Sequence, residues 1–133
     1  MKNKINTCNR YYGFSLVEVL AAVAIIGIIT FLAIPNIVAV KQDSETNMAI
    51  SRAEALNIAL VSYVQANGHE NANEYWNRQS NAQGRYSLLS SYLAFAPSNL
   101  FEYMPSGYQI SLPTDIGKIS KVQLRGPYGE IYY

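Results

Sequence analysis

The chain has 133 residues, half of them hydrophobic, 14% charged and 12% aromatic, with a formal net charge of +1. That length holds one small domain at most, and a near-neutral balance without clustered Lys and Arg excludes the basic footprint of a nucleic-acid-binding domain. With one cysteine, Cys8, and one histidine, His69, the chain offers no internal disulfide and no cysteine–histidine zinc site.

Met1 to Gly13 is polar, basic and too short to fold, and it reads as a processing segment. Lys2, Lys4 and Arg10 lie in it, as does Cys8, so the remainder carries 7 basic against 9 acidic groups, a net charge of −2. From Phe14 to about Val40 the chain is apolar on every helical face, with polar side chains only at Ser15, Glu18, Thr30 and Asn36. As a helix rising ~1.5 Å per residue, this run outreaches a hydrocarbon core of ~30 Å. An ordinary secretory signal has a shorter apolar stretch with small residues at a cut beyond it, and this run has neither feature. Basic residues before the run, against a lone Lys41 soon after it, place the leader in the cytoplasm and the rest outside. Glu18 is the anomaly. An ionised carboxylate in such a run costs about 2.5 kcal/mol or more unless it finds a partner. Pro35 removes a backbone donor and clashes with the preceding turn, so it should kink or loosen the helix near Phe31 to Ile34, and Gly27 punctuates the same stretch.

Beyond Val40 the composition turns polar at Lys41, Asp43, Ser44, Glu45 and Asn47 while the helical period persists. Ala49, Ala53, Leu56, Leu60, Tyr63 and Val64 recur at spacings of three and four, an amphipathic stripe that ends at Asn67 and Gly68. Ile58 and Val61 fall on its polar side. His69 to Gly84 lacks a sustained period and reads as a surface loop around Tyr75 and Trp76, with Trp76 capping the core. Tyr86 to Ala96 predicts a short helix that stops at Pro97, and Ser98 to Ser106 a further helical turn. Alternation at Tyr108, Ile110 and Leu112 predicts a strand ending at Pro113, and Ile119 to Arg125 predicts another. Gly126-Pro127-Tyr128-Gly129 is a turn leading into a return strand, Glu130 to Tyr133.

A short basic leader, Gly13 followed by Phe14, a Glu at the fifth position counted from Phe14, and a long apolar helix together resemble the class III signal of type IV pilins and type II secretion pseudopilins. The resemblance implies an α+β, pilin-like fold, with a long N-terminal helix as spine and a small C-terminal antiparallel sheet. The expected segments are a leader at 1–13, a membrane and assembly helix at 14–40, its amphipathic continuation at 41–67 and a small globular head at 68–133. It implies that a prepilin peptidase cuts between Gly13 and Phe14 and methylates the new amine, and that Glu18 serves assembly. Between Gly27 and Pro35, related pilins can lose helical structure on assembly, and a simple kink in a membrane helix is the other reading of the same pair. Implied partners are the peptidase, identical or related pilin subunits, an inner-membrane assembly platform and membrane lipid, with no nucleic acid. The implied location is the inner membrane, crossed once with the N-terminus cytoplasmic, and then a periplasmic or extracellular filament.

The chemistry expected of such a subunit is electrostatic docking. The Phe14 amine is a cation at the tip of a membrane helix, and an arriving copy whose Glu18 meets it relieves two unfavourable charges where the effective dielectric is low. No enzyme is expected, because the residues after Gly13 include one histidine, no cysteine and scattered acids. No cofactor is expected either. Asp115 and Glu130 are too few carboxylates to imply calcium. The absence of a cysteine pair departs from many adhesive pilins and tilts the reading toward secretion. Two other functions remain open at this point: a membrane-anchored extracytoplasmic binding module that never polymerises, and a competence pilin for DNA uptake that uses its tyrosines for stacking.

Overall fold

A computed structural model describes residues 13–133. Its elements are α1 (Leu16–Asn67), α2 (His69–Asn77), α3 (Ala82–Leu89), a 3₁₀ turn (Ser90–Tyr92), α4 (Leu100–Tyr103), β1 (Gln109–Ser111), β2 (Gln123–Gly126) and β3 (Gly129–Ile131). The strands form one antiparallel sheet in the order β1-β2-β3. This is the α+β, pilin-like layout, a long N-terminal helix with an apolar stretch and a small three-stranded sheet. Contacts divide the chain into two units at Val40/Lys41, a boundary that falls inside α1.

The C-terminal unit is built on the predicted stripe. Ala49, Ala53, Leu56, Leu60, Tyr63 and Val64, joined by Ala59, are the buried residues of α1. They share one core with Trp76, Tyr86, Leu89, Ile116, Val122 and Leu124. Alanines along the stripe leave room for the large side chains opposite, which is how so short a helix segment accommodates an indole and several phenols. The indole of Trp76 is fully buried and donates to the Pro113 carbonyl at 2.9 Å, while its ring lies 6.1 Å from that of Tyr63. Trp76 therefore lies within the core rather than merely capping it.

The stretch His69 to Gly84, read from the sequence as a loop, is largely helical. Gly68, at φ 75°, breaks the chain direction after α1, and α2 begins at once. Its polar composition hides a short apolar seam, since only Ala72 and Trp76, one turn apart, face the core. Asn81 then caps α3 by accepting from the Gly84 amide at 2.7 Å, so that helix starts at Ala82 rather than Tyr86. The expected turn after Ser98 is present as α4, capped by Asn99.

The predicted strand Ile119 to Arg125 begins only at Gln123, because α1 claims the backbone before it. The Val122 amide donates to the Asn57 side chain at 2.9 Å, and the Val122 carbonyl accepts from the Tyr133 hydroxyl at 2.6 Å. Around this pair, Lys121 Nζ donates to Glu54 at 2.9 Å and to the Tyr133 carbonyl at 2.8 Å, and lies 4.7 Å from the Tyr133 ring centroid. The Lys121 hydrogen bond, helped by Asn57, holds the Glu54 carboxyl below its ordinary value. A polar knot thus ties the end of the sheet region to α1.

Replacing Asn57 strands the buried Val122 amide, so Asn57→Ala should lower unfolding stability by about 1–3 kcal/mol, read in denaturant melts. An unchanged midpoint means that the knot contributes nothing. A second expectation comes from the phenols. Burial raises Tyr63, Tyr86, Tyr103 and Tyr133 above the ordinary value of 10.0. Folding therefore favours their neutral forms, and that stability is complete below the unfolded value and is lost as pH rises through the raised folded values. The melting midpoint should accordingly fall above pH ~10. A midpoint flat across that window shows that the phenols ionise without loosening the core.

Candidate assembly site

The N-terminal unit gathers every residue singled out for processing and assembly. Within α1, the stretch up to Val40 is apolar and long enough to cross a membrane, and its most apolar window buries nothing against the rest of the chain. Sixteen large apolar side chains between Phe14 and Val40 are exposed, Phe14 most of all at 89%. Left in water, that surface forgoes about 1.5–3 kcal/mol per side chain, on the order of 25–50 kcal/mol together, which exceeds the net stability of a whole domain. The chain therefore carries a membrane-anchoring helix. Residues 1–12, and with them the basic leader and Cys8, lie outside the described residues.

The first turn of this helix is chemically specific. Ser15 is the N-cap, since its hydroxyl accepts from the Val17 amide at 3.3 Å and its carbonyl accepts from the Val19 amide at 3.2 Å. Glu18 reaches back, and its Oε2 accepts from the Ser15 amide at 2.9 Å. Ser15-Leu16-Val17-Glu18 thus forms a capping box of which the Glu18 half is made, the Ser15 hydroxyl serving the Val17 amide one residue short of the usual partner, and the carboxylate also sits against the positive end of the helix. The sequence reading assigned Glu18 to assembly but treated Ser15 as a mere interruption. The signal that identifies it is the S-x-x-E spacing at the head of an apolar run. Glu18 is the only charged side chain between Phe14 and Val40.

Among the described residues, a Cβ built at Gly13 or Gly27 meets nothing within 4 Å, and Gly27 has no positive φ. A mid-helix glycine costs about 1 kcal/mol relative to alanine, so Gly27 weakens the helix without any return inside the subunit. α1 runs on through Pro35 as one assigned element. Pro35 nonetheless supplies no amide to the Phe31 carbonyl, and the helix lacks one rung there. Thr30, between the two, donates its hydroxyl to the Ile26 carbonyl at 2.8 Å.

Elsewhere the candidates settle into ordinary roles. His69 is exposed at the start of α2. The Asp115 carboxylate accepts from the Gly117 amide at 2.7 Å, closing a local turn, and Glu130 accepts from the Tyr132 hydroxyl at 3.2 Å. Among the described residues, no three His, Cys, Asp or Glu side chains gather as a metal site would need. Ile58 and Val61 are exposed on α1, as their place off the stripe suggested.

Comparison with known proteins bears on the same end of the chain. Residues 8–34 match the family described as the prokaryotic N-terminal methylation motif. The chain is also similar to the type II secretion system core protein G of Escherichia coli (strain K12), with 30% identity over 103 residues. That alignment covers 77% of this chain and 64% of the relative, so the chain spans a little under two thirds of the protein it resembles. No solved structure matches.

Proposed function

We propose that this chain, which carries the N-terminal methylation motif over residues 8–34 and is similar to a type II secretion core protein, is a pilin-like protein of the type IV pilin and pseudopilin family and a structural subunit of a type II secretion pseudopilus or a closely similar filament. A prepilin peptidase removes residues 1–13 and methylates the Phe14 amine. The mature subunit waits in the inner membrane, crossing it once at 14–40 with its N-terminus toward the cytoplasm. The amphipathic continuation 41–67 and the head 68–133 lie outside the membrane. An inner-membrane platform then stacks identical or related copies into a helical polymer.

One observation carries the reading. The sole charged side chain between Phe14 and Val40, a stretch of exposed apolar side chains, sits one turn from the Gly13–Phe14 junction, where a new amine would appear. Apolar cohesion between helices is strong and non-directional, so it cannot fix how far one copy slides along another. A carboxylate that seeks one ammonium can. The open space around Gly13 among the described residues supports the cut, since the demand for a side chain of zero size then comes from outside the subunit. Gly27 and the missing rung at Pro35 give the intervening turns the least helical reinforcement, which supports local unwinding between them when helices crowd together.

Glu18→Ala should leave leader removal largely intact and reduce filament yield to near background, measured by following processed and polymerised protein separately. Normal filament yield refutes the docking role. Gly13→Leu should block the cut by steric exclusion, seen as a persistent precursor on a gel and as retained Met1 by mass spectrometry. Maturation at the usual size sinks the assignment of the junction. A wild-type chain that keeps Met1 and stays monomeric is instead the membrane-anchored binding module.

A further inference from the structure

We infer that the mature, unassembled subunit pairs Glu18 with its own Phe14 amine, so that the carboxylate meant for an arriving copy starts out latched in cis. The inference rests on the proposed cut between Gly13 and Phe14, and it concerns what that cut does to the first turn.

The capping box folds the Glu18 side chain back over the helix terminus until Oε2 reaches the Ser15 amide at 2.9 Å. The Phe14 nitrogen is the next backbone nitrogen toward the terminus, within one Cα–Cα step of ~3.8 Å along the chain. Oε1 of Glu18 has no hydrogen-bond partner among the described residues. Before the cut, the Phe14 nitrogen is a neutral amide, and the carboxylate serves only the helix end. After it, the same nitrogen is an ammonium beside a carboxylate that is already bent toward it. Surroundings offer no rival, since Glu18 is the only charged side chain from Phe14 to Val40 and Phe14 itself is exposed. The pair closes with little further ordering, because the box has already fixed the rotamer.

This changes the physics of assembly. A waiting subunit does not carry a bare carboxylate in the bilayer, because its first turn is a neutral, self-satisfied pair. Docking becomes an exchange of a cis pair for a trans pair, and the gain on assembly is the difference between two similar ion pairs plus the buried apolar surface. The box also keeps two wandering subunits from pairing head to head through charge alone. Only a copy delivered in the right axial register offers the second ammonium at the right height.

Amine acylation tests this on the processed chain held as a monomer in detergent micelles. Phe14 labelling is followed by mass spectrometry at one mildly alkaline pH, with Lys41 of the same molecule as internal reference and methylated and unmethylated termini compared like with like. An ammonium held by a carboxylate is the unreactive form, so the Phe14 to Lys41 labelling ratio should be roughly three- to tenfold lower in the wild type than in Glu18→Gln. A second variant guards against a general effect of position 18. Ser15→Pro removes the amide that anchors the box and should raise the ratio toward that of Glu18→Gln, while Lys41 labels at its former rate. Equal ratios in wild type and Glu18→Gln overturn the latch and leave the processing reading standing. A chain still bearing residues 1–13 overturns both.

Discussion

The apolar surface from Phe14 to Val40 is the constraint from which the rest follows. Nothing among the described residues covers it, and the core of residues 41–133 includes none of its side chains. A domain with a net stability of about 5–15 kcal/mol cannot hold such a surface in water, so a bilayer or a sheath of like helices must supply the cover. That requirement points outside the described residues, among which the most apolar stretch has no partner. It also explains why the first turn is so carefully terminated. In hydrocarbon, four unsatisfied amides at a helix end are expensive, and the Ser15–Glu18 box answers two of them with side chains from within the same turn.

In the proposed filament, apolar cohesion and charge divide the work. The hydrocarbon faces of residues 14–40 would supply most of the energy and almost none of the geometry. Glu18 would supply little net energy, since desolvation offsets much of any ion pair, yet it marks a single height on the helix. The C-terminal unit repeats the division with different parts. Its core is a stripe of alanines and leucines against large aromatics, while its register is held by a few polar ties, Asn57 to Val122 and Lys121 to Glu54 and Tyr133 among them.

What could be read in the sequence was whatever repeats or stands alone. The stripe from Ala49 to Val64 repeats at three and four residues and reappears as the buried face of α1. The hairpin at Pro127-Tyr128 is announced by its flanking glycines. Glu18 stands alone in an apolar run. What escaped was decided by tertiary partners. The helix α2 shows only two core residues in nine, too few for periodicity to register against a background of Asn and Glu. The late start of β2 depends on Asn57, sixty-five residues upstream, which takes the Val122 amide away from the ladder. Ser15 is legible by the S-x-x-E capping rule, although it stands inside a long apolar run whose pattern says nothing of helix termination.

The glycines separate the demands of the fold from demands made on it. Gly68 and Gly107 sit at φ 75° and 84°, where other residues are strained, and their identity is explained inside the subunit. Gly126 is explained by crowding, since a Cβ there would lie 2.8 Å from Ile131 Cδ1. Gly27 is explained by neither conformation nor crowding among the described residues. A mid-helix glycine that weakens its helix and meets nothing in its own unit fits a demand made by a second surface that approaches the backbone closely, which is the role proposed above for this stretch. Uncovered hydrocarbon and an unneeded glycine thus point the same way: on the proposed reading the N-terminal half of α1 takes its physical reasons from neighbours, and the C-terminal half takes them from the core it shares with residues 68–133.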